Sequence, residues 1–541
     1  MDKGIEKPTA ALSDDAAFLE RLGVKQELQR HFSTVSMLGL AFAILNSWTA
    51  LAASLSIALP SGGPSAVIWG LVAAGVCNMC LAASLAEFLS AYPTAGGQYH
   101  WAAIISWKRG GRLVSYATGW INVAAWVCLT ATGGLLGSQL IVGLIALFHD
   151  GYAAKPWHQF LLYIAYTLAA FFINAFANRL LPLFTKAAFF WSIGGFVVIS
   201  ITVLACASPD YQPGSFVYGD FINTTGWPDG AAWLLGLLQG AFALTGFDAT
   251  VHMIEEIPRP QVEGPKIMLL TICIGTFTGF VFLSCQLFVL TDIDAVISSA
   301  AGPLLEILYQ ATRSRGGATC LLLFPLVCML FTTTSLMTTS SRMSYAFARD
   351  RGLPFSRVLA KVHLDLDVPL YALAWTVAWV VVFGCVLLGS SSAFNAITSA
   401  SVVALGVTYA IPPAINCLRG RRMLPETRAF KLSPFLGWTC NLIGILWTLL
   451  TTVLFVFPPE LPTNATNMNY AIVAFGIILA IAIVQWAVDG RKHYTGPRVD
   501  ESALAQGIVE GIAAPGADPS STEGKNKNGE LEAPRGQEDL E

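Results

Sequence analysis

Apolar residues occur along this chain in long uninterrupted runs. Each run is about 20 residues, the length of helix that crosses a hydrocarbon core of about 30 Å. Charged residues concentrate in the first 32 residues, the short connections and the last 50 residues. The pattern predicts an all-α integral membrane protein with about twelve transmembrane helices. The predicted spans are 33–59, 65–89, 114–148, 158–178, 184–207, 230–254, 266–290, 318–340, 370–388, 392–416, 436–457 and 469–488.

The basic residues predict an orientation for these spans. With the N-terminus placed in the cytoplasm, 28 of the 31 Lys and Arg residues fall on the cytoplasmic side, where such residues are enriched in membrane proteins. This asymmetry favours twelve spans and cytoplasmic termini. It predicts a cytoplasmic N-terminal segment (1–32), a twelve-helix transporter domain (33–490) and a disordered cytoplasmic tail (491–541).

Composition narrows the class of protein. Charged residues make up 12% of the chain, roughly half of the 25% usual in soluble domains. The net charge of −3 gives no basic surface for nucleic acid. Cys77 and Cys80 have CxxC spacing, but they lie inside an apolar run without a second pair. We therefore expect a lipid bilayer as the partner, and neither a metal site nor a cofactor.

Polar residues interrupt two of the predicted spans, at 46–49 in the first and at 245–250 in the sixth. Secondary transporters bind their solutes where helices break near the middle of the bilayer. The free backbone N–H and C=O groups at such a break can bind a carboxylate or a cation. The predicted substrate-binding residues are Asn46, Ser47, Trp48, Thr245, Gly246, Phe247 and Asp248.

Asp248 is the most informative of these residues. A carboxylate in mid-span costs about 2.5–3.5 kcal/mol on insertion scales, so it should face a cavity or a partner. It could bind a substrate ammonium or carry a coupling proton; alternatively, it caps the broken half-helix or pairs with His252. Trp48 and Phe247 are either gates and cation–π partners for an amine or packing residues. For Glu87, pairing with basic loop residues is favoured over a role in transport.

Three segments resemble the amino acid–polyamine–organocation permeases. They are Glu87–Trp101 after the second span, Gly246–Pro258 at the sixth and Ser341–Pro354 after the eighth. With the span count, the resemblance covers residues 33–495. Within that superfamily the chain is most similar to the fungal amino acid/choline transporter branch, through Asn46–Trp48 and Pro60–Pro64.

The resemblance implies a five-plus-five inverted-repeat core, similar to the leucine transporter, with two extra helices. It also implies a site between helices 1, 3, 6 and 8, and alternating access with proton coupling. The sequence contains no GxxxxGK[ST] phosphate loop that would indicate ATP use. One departure is the segment Ala43–Trp48, which stands where many bacterial members have a glycine-rich break.

The leading hypothesis is a secondary active permease for amino acids or related amines such as γ-aminobutyrate. The partners would be this substrate and a coupling proton. Choline or another quaternary ammonium, or a polyamine, is the alternative substrate. A non-transporting nutrient sensor is a more distant alternative. No constellation of catalytic residues indicates an enzyme. The plasma membrane is the expected location, with the vacuole as the alternative.

Overall fold

The computed structural model describes residues 31–149, 151–152, 154–363, 365–464, 467–494 and 496–497. Every regular element in these ranges is a helix, which confirms the predicted all-α class. Nearly all of the predicted N-terminal segment and of the predicted disordered tail lies outside the described residues.

The helices follow one another with short connections. Two 3₁₀ turns (Asn178–Leu180, Ile254–Glu256) and one π-helical turn (Trp486–Gly490) accompany them. The α-helices are α1 (Thr34–Leu45), α2 (Ser47–Ala53), α3 (Leu55–Ala58), α4 (Gly63–Ala91), α5 (Gln98–Ile105), α6 (Gly111–Phe148), α7 (Pro156–Phe176), α8 (Leu181–Ala207), α9 (Gly214–Gly219), α10 (Asp229–Ala243), α11 (Ala249–His252), α12 (Pro260–Val289), α13 (Ile293–Ser298), α14 (Pro303–Thr312), α15 (Arg315–Arg349), α16 (Ser356–Leu359), α17 (Leu370–Gly389), α18 (Ser391–Leu418), α19 (Pro434–Leu454), α20 (Ala471–Gln485) and α21 (Arg491–His493).

Eleven helices in the described residues are long and apolar enough to cross a membrane, with α1 and α2 counted together. The sixth predicted span is absent from this count because it is divided. Its first part, α10, has 15 residues, and its second part, α11, has four. The number twelve therefore stays a prediction, and the interruption expected at 245–250 is where the helix stops.

The eighth predicted span was placed too short. It was expected to end at 340, but α15 continues to Arg349. Arg342 and Arg349 lie in the last two turns of this helix, and their guanidinium groups pair with the buried carboxylates Glu256 and Glu255. Charge along the sequence marks a span end only when the charged side chain reaches water.

The broken helices lie inside the bundle. In the most apolar stretch of Thr34–Ala53, 89% of the residues are buried, compared with 11% in that of Ala471–His493. α4 packs against α10 and α12, α6 packs against α15 and α18, and α1 packs against α8. The long helices thus surround the two breaks.

Candidate transport site

The first membrane crossing is interrupted at Asn46. α1 ends at Leu45, Asn46 has φ 38° and ψ 43°, and α2 begins at Ser47. Asn is one of the few residues other than Gly that adopt this left-handed conformation readily, so the local sequence favours the break here. The Asn46 side chain does not cap α2. The first N–H groups of α2 therefore have no acceptor from this residue.

The sixth crossing is interrupted between α10 and α11. α10 ends at Ala243, and Gly246 has a φ of +97°, a value that residues with a Cβ rarely adopt. A Cβ at Gly246 would lie 3.0 Å from Ile44 Cγ2 near the end of α1. This glycine therefore permits both the turn and the close approach of the two breaks.

Each part of the first broken crossing packs against one part of the sixth. α1 packs against α11, α2 packs against α10, and α15 packs against both α1 and α11. The Thr332 hydroxyl of α15 donates to the Ala43 carbonyl at 2.8 Å. Most other hydroxyl groups between 333 and 341 donate to carbonyls of α15 itself. Most of these hydroxyl groups therefore bond to their own helix, and Thr332 joins α15 to α1.

Asp248 is fully buried and bonded to three side chains. Tyr409 Oη donates to Oδ1 at 2.5 Å, and Gln98 Nε2 donates to Oδ2 at 2.8 Å. His252 Nε2 lies 3.2 Å from the same Oδ2. Asp248 occupies the N-cap position of α11 but makes no capping bond. The pairing with His252 is confirmed, and the capping role is wrong.

Gln98 reaches Asp248 because the segment before α5 folds in against α11. Gly97 has a φ of +55°, and a Cβ there would lie 2.5 Å from Val251 Cγ1. The Asn122 Nδ2 group donates to Gln98 Oε1 at 2.9 Å. Since Oε1 faces this donor, the Gln98 amide N–H is directed at the carboxylate.

Trp48 and Phe247 contact different helices. Trp48 Nε1 donates to Ser192 Oγ on α8 at 2.9 Å, and its ring centre lies 4.9 Å from that of Phe282 on α12. The Phe247 ring centre lies 4.7 Å from that of Tyr409 on α18. Each aromatic side chain therefore packs against its own partners.

The remaining candidates lie at the breaks with little exposure. Asn46, Ser47 and Gly246 are buried, and Thr245 is half-buried, with its hydroxyl donating to the Ala241 carbonyl at 2.7 Å. Both breaks are thus closed from solvent, and a solute could enter only after a conformational change.

Several buried polar atoms around the breaks have no protein partner. A buried donor or acceptor without a hydrogen bond costs about 1–3 kcal/mol, so a cluster of them requires an explanation. Ordered water or a polar solute would supply the missing partners. In the described residues this group comprises Asn46 Nδ2, Ser47 Oγ, Thr49 Oγ1, Trp126 Nε1, Thr250 Oγ1 and Ser335 Oγ.

Buried ion pairs close one end of the bundle, which we call the terminal end because the described chain begins and finishes there. Arg342 Nε lies 3.1 Å from Glu256 Oε1, and Arg349 Nη2 lies 3.0 Å from Glu255 Oε1. Burial raises the pKa of Glu255, but Arg349, the Ala95 N–H group and His100 together outweigh burial and leave this pKa below its ordinary value. Glu255 is therefore ionised at neutral pH and holds α15 close to α11.

Glu87 belongs to a second ion-pair group. Its carboxylate oxygens lie 2.6 Å from Arg421 Nη2 and 2.7 Å from Arg428 Nη2. Both arginines are in the connection between α18 and α19. The predicted pairing of Glu87 with basic loop residues is confirmed.

A cavity of about 490 Å³ lies away from the breaks. It opens between α6, α17, α18 and α20, and its lining is almost entirely apolar. Since none of the seven candidate residues lines it, this cavity is not part of the candidate transport site.

The sequence profile described as amino acid permease matches residues 32–481. The chain belongs to this family. The match covers both breaks, all the long helices through α19 and most of α20.

The permease is similar along most of its length to proteins of fungi and plants. It is 33% identical over 485 residues to the choline transporter of Saccharomyces cerevisiae, covering 88% of this chain and 85% of that protein. It is 30% identical over 496 residues to the amino-acid permease BAT1 of Arabidopsis thaliana, covering 88% and 95%. It is 31% identical over 506 residues to the BAT1 homologue of Oryza sativa subsp. japonica, covering 89% and 95%.

Family membership establishes the broad class of activity. The chain is a multi-pass membrane transporter of the amino acid–polyamine–organocation superfamily and not an enzyme. The resemblance inferred from the three sequence segments is confirmed.

Sequence reasoning missed three residues that the permease places around Asp248. Gln98 lies within the segment that carried the resemblance, yet nothing in its spacing connected it with the sixth crossing. Asn122 and Tyr409 lie within the third and tenth predicted spans, but other polar residues such as Thr118 and Thr408 lie in the same helices, so neither position stood out. Their convergence depends on packing of α6 and α18 around α11.

Proposed function

We propose that the permease is a secondary active transporter for amino acids or related amines such as γ-aminobutyrate, working by alternating access with proton coupling. We place it in the plasma membrane, with both termini in the cytoplasm. The observation that carries the proposal is the contact between two buried helix breaks, surrounded by polar atoms without protein partners.

A zwitterion suits the chemistry of the two breaks. The uncapped start of α2 offers N–H groups to a carboxylate. The ends of α1 and α10 offer carbonyl oxygens to an ammonium group. Because Asp248 is already bonded to three side chains, we assign the ammonium to these carbonyls and to Trp126, which lies 3.8 Å from the Cβ position of Gly246.

Choline is the second candidate substrate, favoured by the similarity to the yeast choline transporter. A quaternary ammonium needs aromatic faces and no hydrogen-bond acceptor. Trp48 and Phe247 contact different helices, so a choline site would have to use Trp126 in place of a cage between those two rings. This geometry ranks choline below the zwitterions.

Uptake in transport-deficient yeast tests the proposal. The substrates are radiolabelled choline, γ-aminobutyrate and a mixed amino-acid panel, and surface abundance is measured for each variant. Asn46→Gly preserves the left-handed backbone conformation at the break and removes the side-chain amide. We therefore expect the substrate concentration that gives half-maximal uptake to rise at least several-fold. Gly389→Ala is the matched control, because a Cβ there meets nothing within 4 Å.

Uptake of amino acids or γ-aminobutyrate, weakened by Asn46→Gly alone, would support the proposal. Uptake of choline alone would transfer it to the second candidate. If wild-type protein at normal surface abundance takes up nothing from the panel, the proposed function is wrong.

A further inference from the structure

The hydrogen bonds of His252 determine how many protons it shares with Asp248. His252 Nδ1 lies 2.9 Å from the Ala95 carbonyl oxygen. A carbonyl can only accept, so Nδ1 carries a hydrogen. In a neutral imidazole Nε2 then has a lone pair, and it faces Asp248 Oδ2 at 3.2 Å. Two acceptors do not pair, so one proton must lie between these atoms.

The shared proton makes the pair electrically neutral. It can sit on His252, giving an aspartate–imidazolium pair, or on Asp248, giving a neutral acid beside a neutral imidazole. Both side chains are fully buried. Removal of the proton would leave one uncompensated negative charge in the bundle interior, and a second proton would leave one positive charge; either state is strongly unfavourable there.

The groups that face the pair do not supply a compensating charge. α18 contributes Tyr409, the chain before α6 contributes Gln98, and α6 contributes Asn122 and the Trp126 ring, 5.6 Å from that of His252. α1 has no titratable side chain. The charged side chains of α12, α15 and the 3₁₀ turn after α11 form ion pairs of their own. These pairs are Arg259–Glu263, Lys266–Glu263, Arg342–Glu256, Arg349–Glu255 and, at the end of α15, Asp350–His100.

Alternating access, as proposed above, requires movement at the helix breaks, and the pair lies at one of them. Asp248 and His252 belong to α11, on one side of the break. Their partners Tyr409, Gln98 and Ala95 belong to other elements. Movement of α11 relative to these elements would admit water to the pair, and only then could the proton exchange.

We propose that Asp248 and His252 together form the coupling-proton site of the permease, holding one proton when the breaks are closed. In a state open to one side, ionised Asp248 and neutral His252 take up one proton from that side. In a state open to the other side the pair releases the same proton. Each cycle therefore carries one proton, and the substrate binds elsewhere at the breaks. This inference rests on the proposed transport function.

Transport by the full-length chain in proteoliposomes tests this assignment with Asp248→Asn, His252→Gln and Asp350→Asn. The last variant removes a buried Asp from a second Asp–His pair outside the breaks. Counterflow of labelled substrate needs no proton gradient, whereas concentrative uptake does. We expect an inward proton gradient to accelerate uptake several-fold in wild type and Asp350→Asn. In Asp248→Asn and His252→Gln the gradient should leave the uptake rate unchanged. All four proteins should retain counterflow.

Two results would overturn the assignment while leaving the transport function intact. One is acceleration by the gradient in Asp248→Asn or His252→Gln. The other is loss of counterflow in Asp248→Asn with a raised half-saturating concentration, which would make Asp248 a substrate ligand. Absence of counterflow in the wild type with every substrate of the panel would count against the proposed function instead.

A substrate-independent readout keeps the assignment testable in that case. In purified protein at neutral pH, ¹⁵N NMR of histidine shows whether His252 Nε2 carries a proton, and infrared spectroscopy shows whether Asp248 is a neutral acid. We expect one of these two signals, each identified by its absence in the corresponding variant. An unprotonated Nε2 beside an ionised Asp248 would contradict the shared proton.

Discussion

The part of the permease that the structure describes contains two buried Asp–His pairs with similar components. Asp248 pairs with His252 and accepts from Tyr409. Asp350, at the end of α15, pairs with His100 at 2.6 Å and accepts from Tyr99 at 2.8 Å. One segment of chain, Thr94–His100, supplies groups to both pairs.

The two pairs differ in the hydrogen-bond partner of the second histidine nitrogen and in the charges near the aspartate. The second nitrogen of His252 faces the Ala95 carbonyl, which can only accept, whereas that of His100 faces the Thr94 hydroxyl, which can donate or accept. The Arg349 guanidinium also acts on Asp350, whereas the donors to Asp248 apart from His252 are the uncharged Tyr409 hydroxyl and Gln98 amide. At the terminal end a neighbouring arginine stabilises the ionised aspartate. At the break no such cation is present among the described contacts, and the proposed shared proton neutralises the pair.

The largest expected effect tests the role of charge at the terminal end. Arg342→Met would leave the buried Glu256 carboxylate without its guanidinium, which we expect to cost about 3–5 kcal/mol. Thermal unfolding in detergent measures this loss. Lys431→Met is the control, because Lys431 pairs with Glu426 on the exposed surface and such pairs contribute under about 1 kcal/mol. Equal losses in both variants would contradict the distinction.

The two tyrosines offer a matched comparison of the pairs. Tyr409→Phe and Tyr99→Phe each remove one donor to a buried carboxylate, a loss of about 1.5–3 kcal/mol for a hydrogen bond to a charged group. We expect similar losses of stability but different effects on transport. Acceleration of uptake by a proton gradient should fall at least two-fold in Tyr409→Phe and stay unchanged in Tyr99→Phe. The reverse pattern would assign the coupling proton to Asp350.

Gly97 tests whether both pairs depend on the segment that joins them. Gly97→Ala would force a Cβ to within 2.5 Å of Val251, in addition to the strain of a positive φ. Gly110→Ala has the same kind of strain, with φ +95° and no atom within 4 Å of the Cβ. We expect thermal unfolding to show that Gly97→Ala loses about 1–3 kcal/mol more stability than Gly110→Ala, the usual cost of overpacking. No excess would mean that α11 can shift freely.

The smallest expected effect concerns acid. Burial raises the pKa of Asp350, but His100, Arg349 and Tyr99 outweigh it and leave this pKa below its ordinary value. A carboxyl with a lowered pKa stabilises the fold above its unfolded pKa of about 4 and loses that contribution as the pH falls below it. The melting temperature should therefore drop more between pH 5 and pH 3 in wild type than in Asp350→Asn. Identical drops would remove Asp350 as a contributor.

The fold class was predictable because the bilayer imposes a simple rule on the sequence. Runs of about 20 apolar residues without charge must be helices. Most of the predicted runs matched observed helices, but the sixth is divided between α10 and α11, α12 begins earlier at Pro260, and α15 continues to Arg349. The break in the first crossing was also visible, since Asn46 combines polarity with tolerance of the left-handed conformation.

The arrangement around Asp248 was only partly predictable. His252 follows it by one helical turn, so local geometry indicated the pairing. Gln98 and Tyr409 are separated from Asp248 by about 150 and 160 positions, and such contacts depend on how the helices pack. The direction of Trp48, toward α8 and α12, likewise followed from packing that no local pattern encodes.

Proton movement during transport tests the central claim most directly. Proteoliposomes containing a trapped pH-sensitive dye and the wild-type permease, without a pre-formed gradient, receive the substrate identified in the uptake assay from outside. The account predicts acidification of the lumen in wild type and Asp350→Asn, and none in Asp248→Asn or His252→Gln despite retained counterflow. Acidification by Asp248→Asn at the wild-type rate would contradict the claim that this pair carries the coupling proton.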